Sequence, residues 1–534
     1  MSLSRKILSN TLWQVIGRAV TALFGIISIK ILTGYLPSEI YGQYTTLYEF
    51  IGFFAIAADF GLYTIGVREM AKNQKPTHEI LGNILSLRIL LILIFLSVAC
   101  LSVFIIPQYQ NSFVEKGIML VALTTGLTLL SGTLQSILQF KLKMFYANLS
   151  LIFSRIVNIS YIAYTVFFLH PSKLEEGFTH LLYAGVLAGI SLLILTFYFV
   201  QKETSIKPIF EKAYIKEIVQ KSLPYGASLI LSTIYFKIDI ILLGFIKGYH
   251  QVGIYSVPLK LMEILSVIPT FFMNSSLGSF TQKFQQSKEA FSASIIRAWK
   301  FMVLLATPIL IGGTILAFPL TFAISSPQFL SGYHCTNNIQ IVFQSEIAAK
   351  KSCETTPVKN EFTWGNSGLQ NSYTYFYGSD IALKLILVGM FFSYLNTLFS
   401  FSLVASDQQS KLLVINFIGV LFNTTTNLIF IPVYGFIGAA ITTALSEIII
   451  LIGTYYYLTK NIRIPLPLIH SFKIIIAGLI MGLATFLAQK PSYNLLQNFN
   501  ILLLIPFAAI IYALALHLLK VFPHDEIKKI LGKA

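Results

Sequence analysis

The stretch Ile31-Leu-Thr-Gly34-Tyr-Leu-Pro-Ser-Glu39-Ile-Tyr41-Gly42-Gln-Tyr44 runs on through apolar residues to Ala58-Asp59-Phe60-Gly61-Leu62. It leaves at Arg68-Glu69-Met-Ala-Lys72, and its reading decides the fold. One apolar segment leads in, Gly34 to Glu39 turn the chain, and a second apolar segment returns. The pattern is a hairpin of two long helices, with cations at the far end and a carboxylate, Asp59, inside the second helix.

The rest of the chain repeats this pattern. Its 534 residues are 55% hydrophobic and only 11% charged, with mean hydropathy +0.74, where a soluble domain carries about 25% charged residues. Apolar runs of roughly 20 residues suffice to cross about 30 Å of hydrocarbon. The expected class is an all-α polytopic membrane protein. No small-residue cleavage site follows a short apolar core at the start, so the first helix is expected to be retained.

Fourteen spans are expected, at about 8–33, 42–67, 79–106, 116–138, 148–169, 178–200, 222–246, 251–275, 298–324, 380–404, 411–431, 435–458, 468–488 and 499–521. Alternating sides from the N-terminus puts 24 of the 38 Lys and Arg in one set of connections, with both termini, and 8 in the other. Cytoplasmic loops carry the excess of cations. Both termini are therefore expected in the cytoplasm, and the net charge of +16 reflects those loops, not nucleic-acid binding.

The hairpin turn recurs. Gly244-Phe-Ile-Lys-Gly-Tyr-His-Gln-Val-Gly253-Ile-Tyr255 resembles Gly34 through Tyr44, and Tyr434-Gly435 through Ala440 is a looser echo. The first two copies lie six spans apart and share orientation, which implies a parallel repeat of two pseudo-symmetric six-helix lobes. Chance recurrence of Gly-x-Tyr in an apolar chain is the alternative. The expected organisation is an N-lobe over 1–205 and a C-lobe over 206–460 with an outer-loop insertion at 325–379. Two added helices and a cytoplasmic tail then occupy 461–534. The insertion holds Cys335 and Cys353 on the oxidising side, where they form a disulfide or remain two free thiols.

An ionisable residue inside a span costs several kcal/mol unless it meets a cavity, a partner or the interface. Arg18 lies mid-span on the stripe Asn10, Gln14, Arg18, Thr21, Gly25, Ser28, one face at helical spacing. Span seven carries a matching stripe, Tyr225, Ser228, Ser232, Tyr235, Asp239. The two read as linings of a wet cavity. Arg88 and Arg155 either join Arg18 there or snorkel to the interface. Lys237 sits mid-span, on nearly the opposite face from Asp239. Aligning the repeats puts Glu49 on Lys260, an opposite-charge pair suited to closing a cavity at its outer end. Asp59, Glu263, Asp407 and Glu447 are the other carboxylates of interest, with Asp59 and Asp407 expected near the inner rim. No Gly-x-x-x-x-Gly-Lys-Ser/Thr loop and no His-Glu-x-x-His occur. No ATP hydrolysis, metal site or cofactor is expected, and the chain reads as a transporter and not an enzyme.

Asn10, Trp13 and Gly17, then Leu32-Thr-Gly34, Tyr41-Gly42-Gln-Tyr44, Asp59-Phe60-Gly61-Leu62 and Arg68-Glu69, resemble the polysaccharide biosynthesis flippases. These are the oligosaccharide exporters of the multidrug/oligosaccharidyl-lipid/polysaccharide (MOP) exporter superfamily. Asp239, Gly244 and Gly253-Ile-Tyr255 resemble the same family's seventh and eighth helices. The likeness covers most of the chain outside 325–379. It implies a flippase for undecaprenyl- or dolichyl-pyrophosphate-linked oligosaccharides in the cell membrane, working by alternating access beside polymerase or ligase machinery. Proton or sodium coupling through a carboxylate such as Asp239 stays open. Under this reading Arg18, Gln14, Arg88, Arg155, Tyr225, Tyr235 and Lys237 contact the substrate, and Glu49, Lys260, Asp59 and Asp239 serve gating or coupling. Guanidinium groups suit pyrophosphate because they make bidentate, charge-assisted bonds to its oxygens. Two rivals are a cation-coupled exporter of the MATE type, which favours acidic residues for cationic drugs, and a membrane-embedded glycan polymerase or glycosyltransferase. The polymerase would place catalytic charges on the outer side, where the 325–379 loop has no arginine.

Overall fold

The computed structural model describes residues 3–72, 74–334, 340–341, 374–460, 462–496 and 500–521. Cys335 and Cys353 lie outside the described residues, as do the side chains of Asn10 and Tyr225. Among the described residues, each expected span falls on one of 14 helical segments long and apolar enough to cross a membrane.

The helices are α1 (Leu3–Tyr35), α2 (Ser38–Asp59), α3 (Leu62–Ala71), α4 (Thr77–Ile105), α5 (Phe113–Phe140), α6 (Met144–Tyr164), α7 (Leu174–Gln201) and α8 (Lys212–Lys247). They continue with α9 (Tyr249–Gln286), α10 (Lys288–Ile315), α11 (Ala317–Ile324), α12 (Ser379–Ala405), α13 (Gln409–Tyr434), α14 (Phe436–Thr459), α15 (Leu468–Leu496) and α16 (Ile501–Leu518). Three short antiparallel strands, β1 (Gly332–His334), β2 (Gln340–Ile341) and β3 (Thr374–Phe376), pair in the order β2-β1-β3 at the two ends of the long loop. Helices dominate because an apolar medium offers the backbone no other partner than itself. Prolines inside α9 (Pro258, Pro269), α10 (Pro308) and α13 (Pro432) are tolerated on the same terms.

Two compact units divide the chain, Met1–Gly253 and Ile254–Ala534. The first takes in α8, which the sequence reading assigned to the 206–460 lobe.

In the first unit α8 lies against α2, with smaller contacts to α3 and α4. The connection into α8 is docked as well: the Ile209 N–H donates to the Gly82 carbonyl at 3.1 Å, and the Glu211 N–H to Asn83 Oδ1 at 2.8 Å. Beneath it Ile80, Leu81, Ile84, Leu134, Ile137, Leu138 and Ile218 form a buried apolar cluster joining α4, α5 and α8. The two repeated turns meet in this unit. A Cβ on Gly42 would stand 1.8 Å from the Tyr249 carbonyl oxygen, and one on Gly253 would stand 2.1 Å from the Ser38 carbonyl oxygen. The Ser38 hydroxyl and His250 Nδ1 are hydrogen-bonded beside them at 2.7 Å. Glycine is required because backbone packs on backbone there.

In the second unit α10, α12 and α14 pack together, and α15 and α16 lie as a pair against α10. The Trp299 indole donates to Ser471 Oγ at 3.0 Å, and the Tyr512 hydroxyl to the Leu304 carbonyl at 2.9 Å. These bonds fix the last two helices to α10.

Candidate functional site

The second apolar segment of the opening hairpin is one crossing made of two helices. Phe60 (φ 46°) and Gly61 (φ 72°) both take left-handed backbone, ending α2 and restarting α3. A left-handed residue other than glycine costs roughly 1–2 kcal/mol, so the neighbours must hold Phe60 there. They do. Arg88 of α4, 1% exposed, places Nη2 2.7 Å from Asp59 Oδ1 and Nη1 2.9 Å from the Ala58 carbonyl, and donates from Nε to Thr133 Oγ1 at 2.8 Å. Asp59 Oδ2 accepts the Gly61 N–H at 3.2 Å. Below the break, Gly226 of α8 leaves room for the Phe60 ring, whose Cδ2 would lie 2.9 Å from a Cβ there.

Arg88 is therefore clamped into the helix break and not presented to a cavity. A guanidinium committed to a carboxylate, a carbonyl and a hydroxyl, and this deeply buried, positions backbone; the reading that made it a substrate contact has no support in its geometry. Asp59 takes Arg88 as its partner.

Lys237 extends to Glu49, forming an ion pair between α8 and α2 in which Glu49 is buried. The lysine passes over Gly52, where a Cβ would stand 3.1 Å from its Nζ. This partner for Glu49 was not foreseen. Lys260, in the second unit, reaches Glu263 one turn along at 3.0 Å. Asp239 is buried at 4% exposure, and the Tyr235 ring sits beside Phe236.

Arg18 and Arg155 differ from Arg88: both are exposed. Arg18 lies within electrostatic reach of Tyr63, whose hydroxyl donates to Gln139 Oε1 at 2.9 Å. On the same helix Gly17 packs against α6, where a Cβ would fall 2.2 Å from Asn148 Oδ1, and Gln14 is half-buried. Arg155 of α6 acts electrostatically on Tyr44 and Tyr48 of α2, whose rings stand 5.0 Å apart. The first unit thus offers two exposed guanidinium groups, Arg18 with Tyr63 in range and Arg155 with Tyr44 and Tyr48. The tyrosines were missed in the sequence, although Tyr41, Tyr44 and Tyr48 fall at spacings of three and four, one helical face.

The second unit holds a different polar cluster. Glu447, 3% exposed, accepts from Asn396 Nδ2 at 2.5 Å; Asn423 Nδ2 donates to Ser446 Oγ at 3.3 Å, and Asn423 Oδ1 accepts from Asn427 Nδ2 at 3.0 Å. Sequence reading named Glu447 alone. No group of three metal-ligating side chains occurs among the described residues. A groove of about 560 Å³ between α4 and α5, lined by Leu96, Cys100, Met119, Leu123 and Leu130, is apolar and open along exposed Leu93 and Leu101.

Residues 7–277 match the model of the family described as polysaccharide biosynthesis protein. The chain belongs to that family. A Shigella flexneri protein described as an O-antigen transporter is 23% identical over 323 residues, covering 58% of this chain and 74% of that protein. Among solved structures, the lipid II flippase MurJ in an inward closed conformation superposes with a TM-score of 0.70 at 14% identity, covering 97% of this chain and 100% of that one. An inward-facing MATE-family multidrug transporter of the MOP superfamily gives 0.61 at 13% identity, covering 82% of this chain and 95% of that one. The fold is that of the MOP superfamily, as the sequence resemblance implied.

Proposed function

We propose that this protein is a flippase that carries a polyprenyl-pyrophosphate-linked oligosaccharide from the cytoplasmic to the outer leaflet by alternating access. Arg18 and Arg155 are its phosphate-binding groups. The observation that carries this reading is the contrast among the three intramembrane arginines. Arg88 is buried against Asp59 and backbone, whereas Arg18, near Tyr63, and Arg155, near Tyr44 and Tyr48, are exposed. Guanidinium recognises phosphate oxygens, and tyrosine faces and hydroxyls suit sugars. Family membership and the MurJ-like fold support the cargo class. The exposed arginines weigh against the MATE-like alternative, for which cationic cargo calls for carboxylates.

The cation count orients both termini to the cytoplasm. Outward movement of an anionic carrier across an inside-negative membrane then gains about 2.3 kcal/mol per charge per 100 mV. Proton or sodium coupling is assigned to buried Asp239. Gln14, Tyr225 and Tyr235 are assigned to the glycan path.

In cells that depend on this protein for surface polysaccharide, Arg18→Ala is expected to abolish glycan display while the protein remains in the membrane at normal level. Arg18→Lys should restore part of it. Normal display with Arg18→Ala overturns the assignment.

A further inference from the structure

A basic recess of about 550 Å³ opens between α10 and the segment leading into α15. Lys300 and Lys473 line it, with His470 and a wall of Leu466, Pro467 and Leu468. Its geometry is fixed from beneath. Trp299, adjacent to Lys300, donates its indole N–H to Ser471, two residues before Lys473, and both partners are buried. The Arg463 carbonyl accepts from Ser292 Oγ at 2.8 Å, tying the incoming segment to α10. The two lysines therefore stand on either side of one buried hydrogen bond.

Among the described residues no carboxylate lies within 4.0 Å of Lys300 or Lys473. The sequence offers none nearby along the chain. Between Glu447 and Asp525 there is no Asp or Glu, while Lys460, Arg463, Lys473, Lys490 and Lys520 all occur. Two ammonium groups in one recess, with no described carboxylate beside either, suit an anion. Beside them Leu468 (67%), Ile469 (80%) and Phe472 (63%) are largely exposed, so the anion must arrive with hydrocarbon attached. Cations in a recess between helices long and apolar enough to span a membrane, next to exposed apolar side chains, match a phospholipid at the interface.

We propose that this recess binds the phosphate headgroup of an anionic phospholipid, with Lys300 and Lys473 as its ligands and the acyl chains running over Leu468, Ile469 and Phe472. The site lies wholly in the second unit and uses none of the residues assigned to the transported cargo.

The test is native mass spectrometry of the purified full-length protein in detergent, titrated with phosphatidylglycerol or with phosphatidylcholine. Wild type should retain phosphatidylglycerol in preference to phosphatidylcholine. Each lysine near a membrane surface contributes about a fivefold effect, so Lys300→Ala with Lys473→Ala should weaken phosphatidylglycerol binding roughly 25-fold. Lys300→Arg with Lys473→Arg should keep it. Either single alanine variant reads the fivefold step if the double variant does not purify. Inorganic phosphate at the lipid's concentration should not displace the lipid. Equal binding by wild type and the alanine variants overturns the proposal. So does equal retention of phosphatidylcholine, and displacement by inorganic phosphate would reduce the recess to a simple anion site.

Discussion

The guanidinium of Arg88 holds the Asp59 carboxylate at 2.7 Å across the break between α2 and α3. The same side chain covers the Ala58 carbonyl that the break leaves without a helical partner. Arg88→Leu should thus expose an acceptor and strand a carboxylate at once. Breaking a buried pair from one side costs about 3–5 kcal/mol, and Asp59, 23% exposed, sets the expectation near the lower end, about 3 kcal/mol. Thermal unfolding of the detergent-solubilised variant measures it. Unchanged stability would mean that the break is held by something other than this clamp.

The contact between Gly42 and the Tyr249 carbonyl leads to a ranked set of glycine substitutions. Gly42→Ala must push two backbones apart and is expected to cost 3 kcal/mol or about that, the upper range for overpacking. At Gly52 the new methyl meets only the flexible end of Lys237, so about 1 kcal/mol is expected. Gly132 has open space around its missing Cβ, and alanine there should stabilise α5 by up to about 1 kcal/mol. Unfolding midpoints in that order support the packing; equal values for Gly42→Ala and Gly132→Ala would refute it.

Much of the fold was legible because hydropathy over a 20-residue window averages out local detail. All fourteen spans were placed, and the turn repeat pointed to glycines that do pack together in space. Two things were not legible, for the same reason. The break at Phe60 depends on an arginine 28 positions further on, and nothing local to Asp59-Phe60-Gly61 says whether the carboxylate faces cargo or a clamp. The Glu49–Lys237 pair likewise joins residues 188 apart. Repeat alignment put Lys260 opposite Glu49, but it could not show that Lys237 of α8 also reaches this carboxylate. For Arg18 and Arg155 the residue type was readable, whereas their tyrosine neighbours came from the packing of α2 and α3 near α1 and α6.

Lys237 and Glu49 should behave as a coupled pair. Removing the lysine alone takes a cation from a buried carboxylate, and removing the carboxylate alone takes a counter-charge from an ammonium inside a span. The double variant Glu49→Gln with Lys237→Gln removes both charges. Its loss of stability should be smaller than the sum of the two single losses by at least about 1 kcal/mol, the scale on which contacting residues couple. Additive losses in a double-mutant cycle, read by thermal unfolding, would show that the pair contributes nothing beyond its separate parts.

Glu203, just past the end of α7, accepts from Lys143 at 2.5 Å and pairs with Lys141 at 3.3 Å, joining the α5–α6 connection to α7. The hydrogen bond from Lys143, reinforced by Lys141, holds its carboxyl below the usual carboxylate range. A carboxylate whose folded pKa is depressed adds stability that is fully present above its unfolded value of about 4.3. That increment is lost as pH falls through the lower folded value. Both lysines are about a third or more exposed, so solvent screening keeps the contribution under about 1 kcal/mol. Wild type should therefore be more stable than Glu203→Gln near pH 7, and the gap should close as the pH is lowered below about 4. Unfolding midpoints of the two proteins, measured at stepped pH, test it. A gap that persists unchanged to low pH would assign the effect to packing instead of charge.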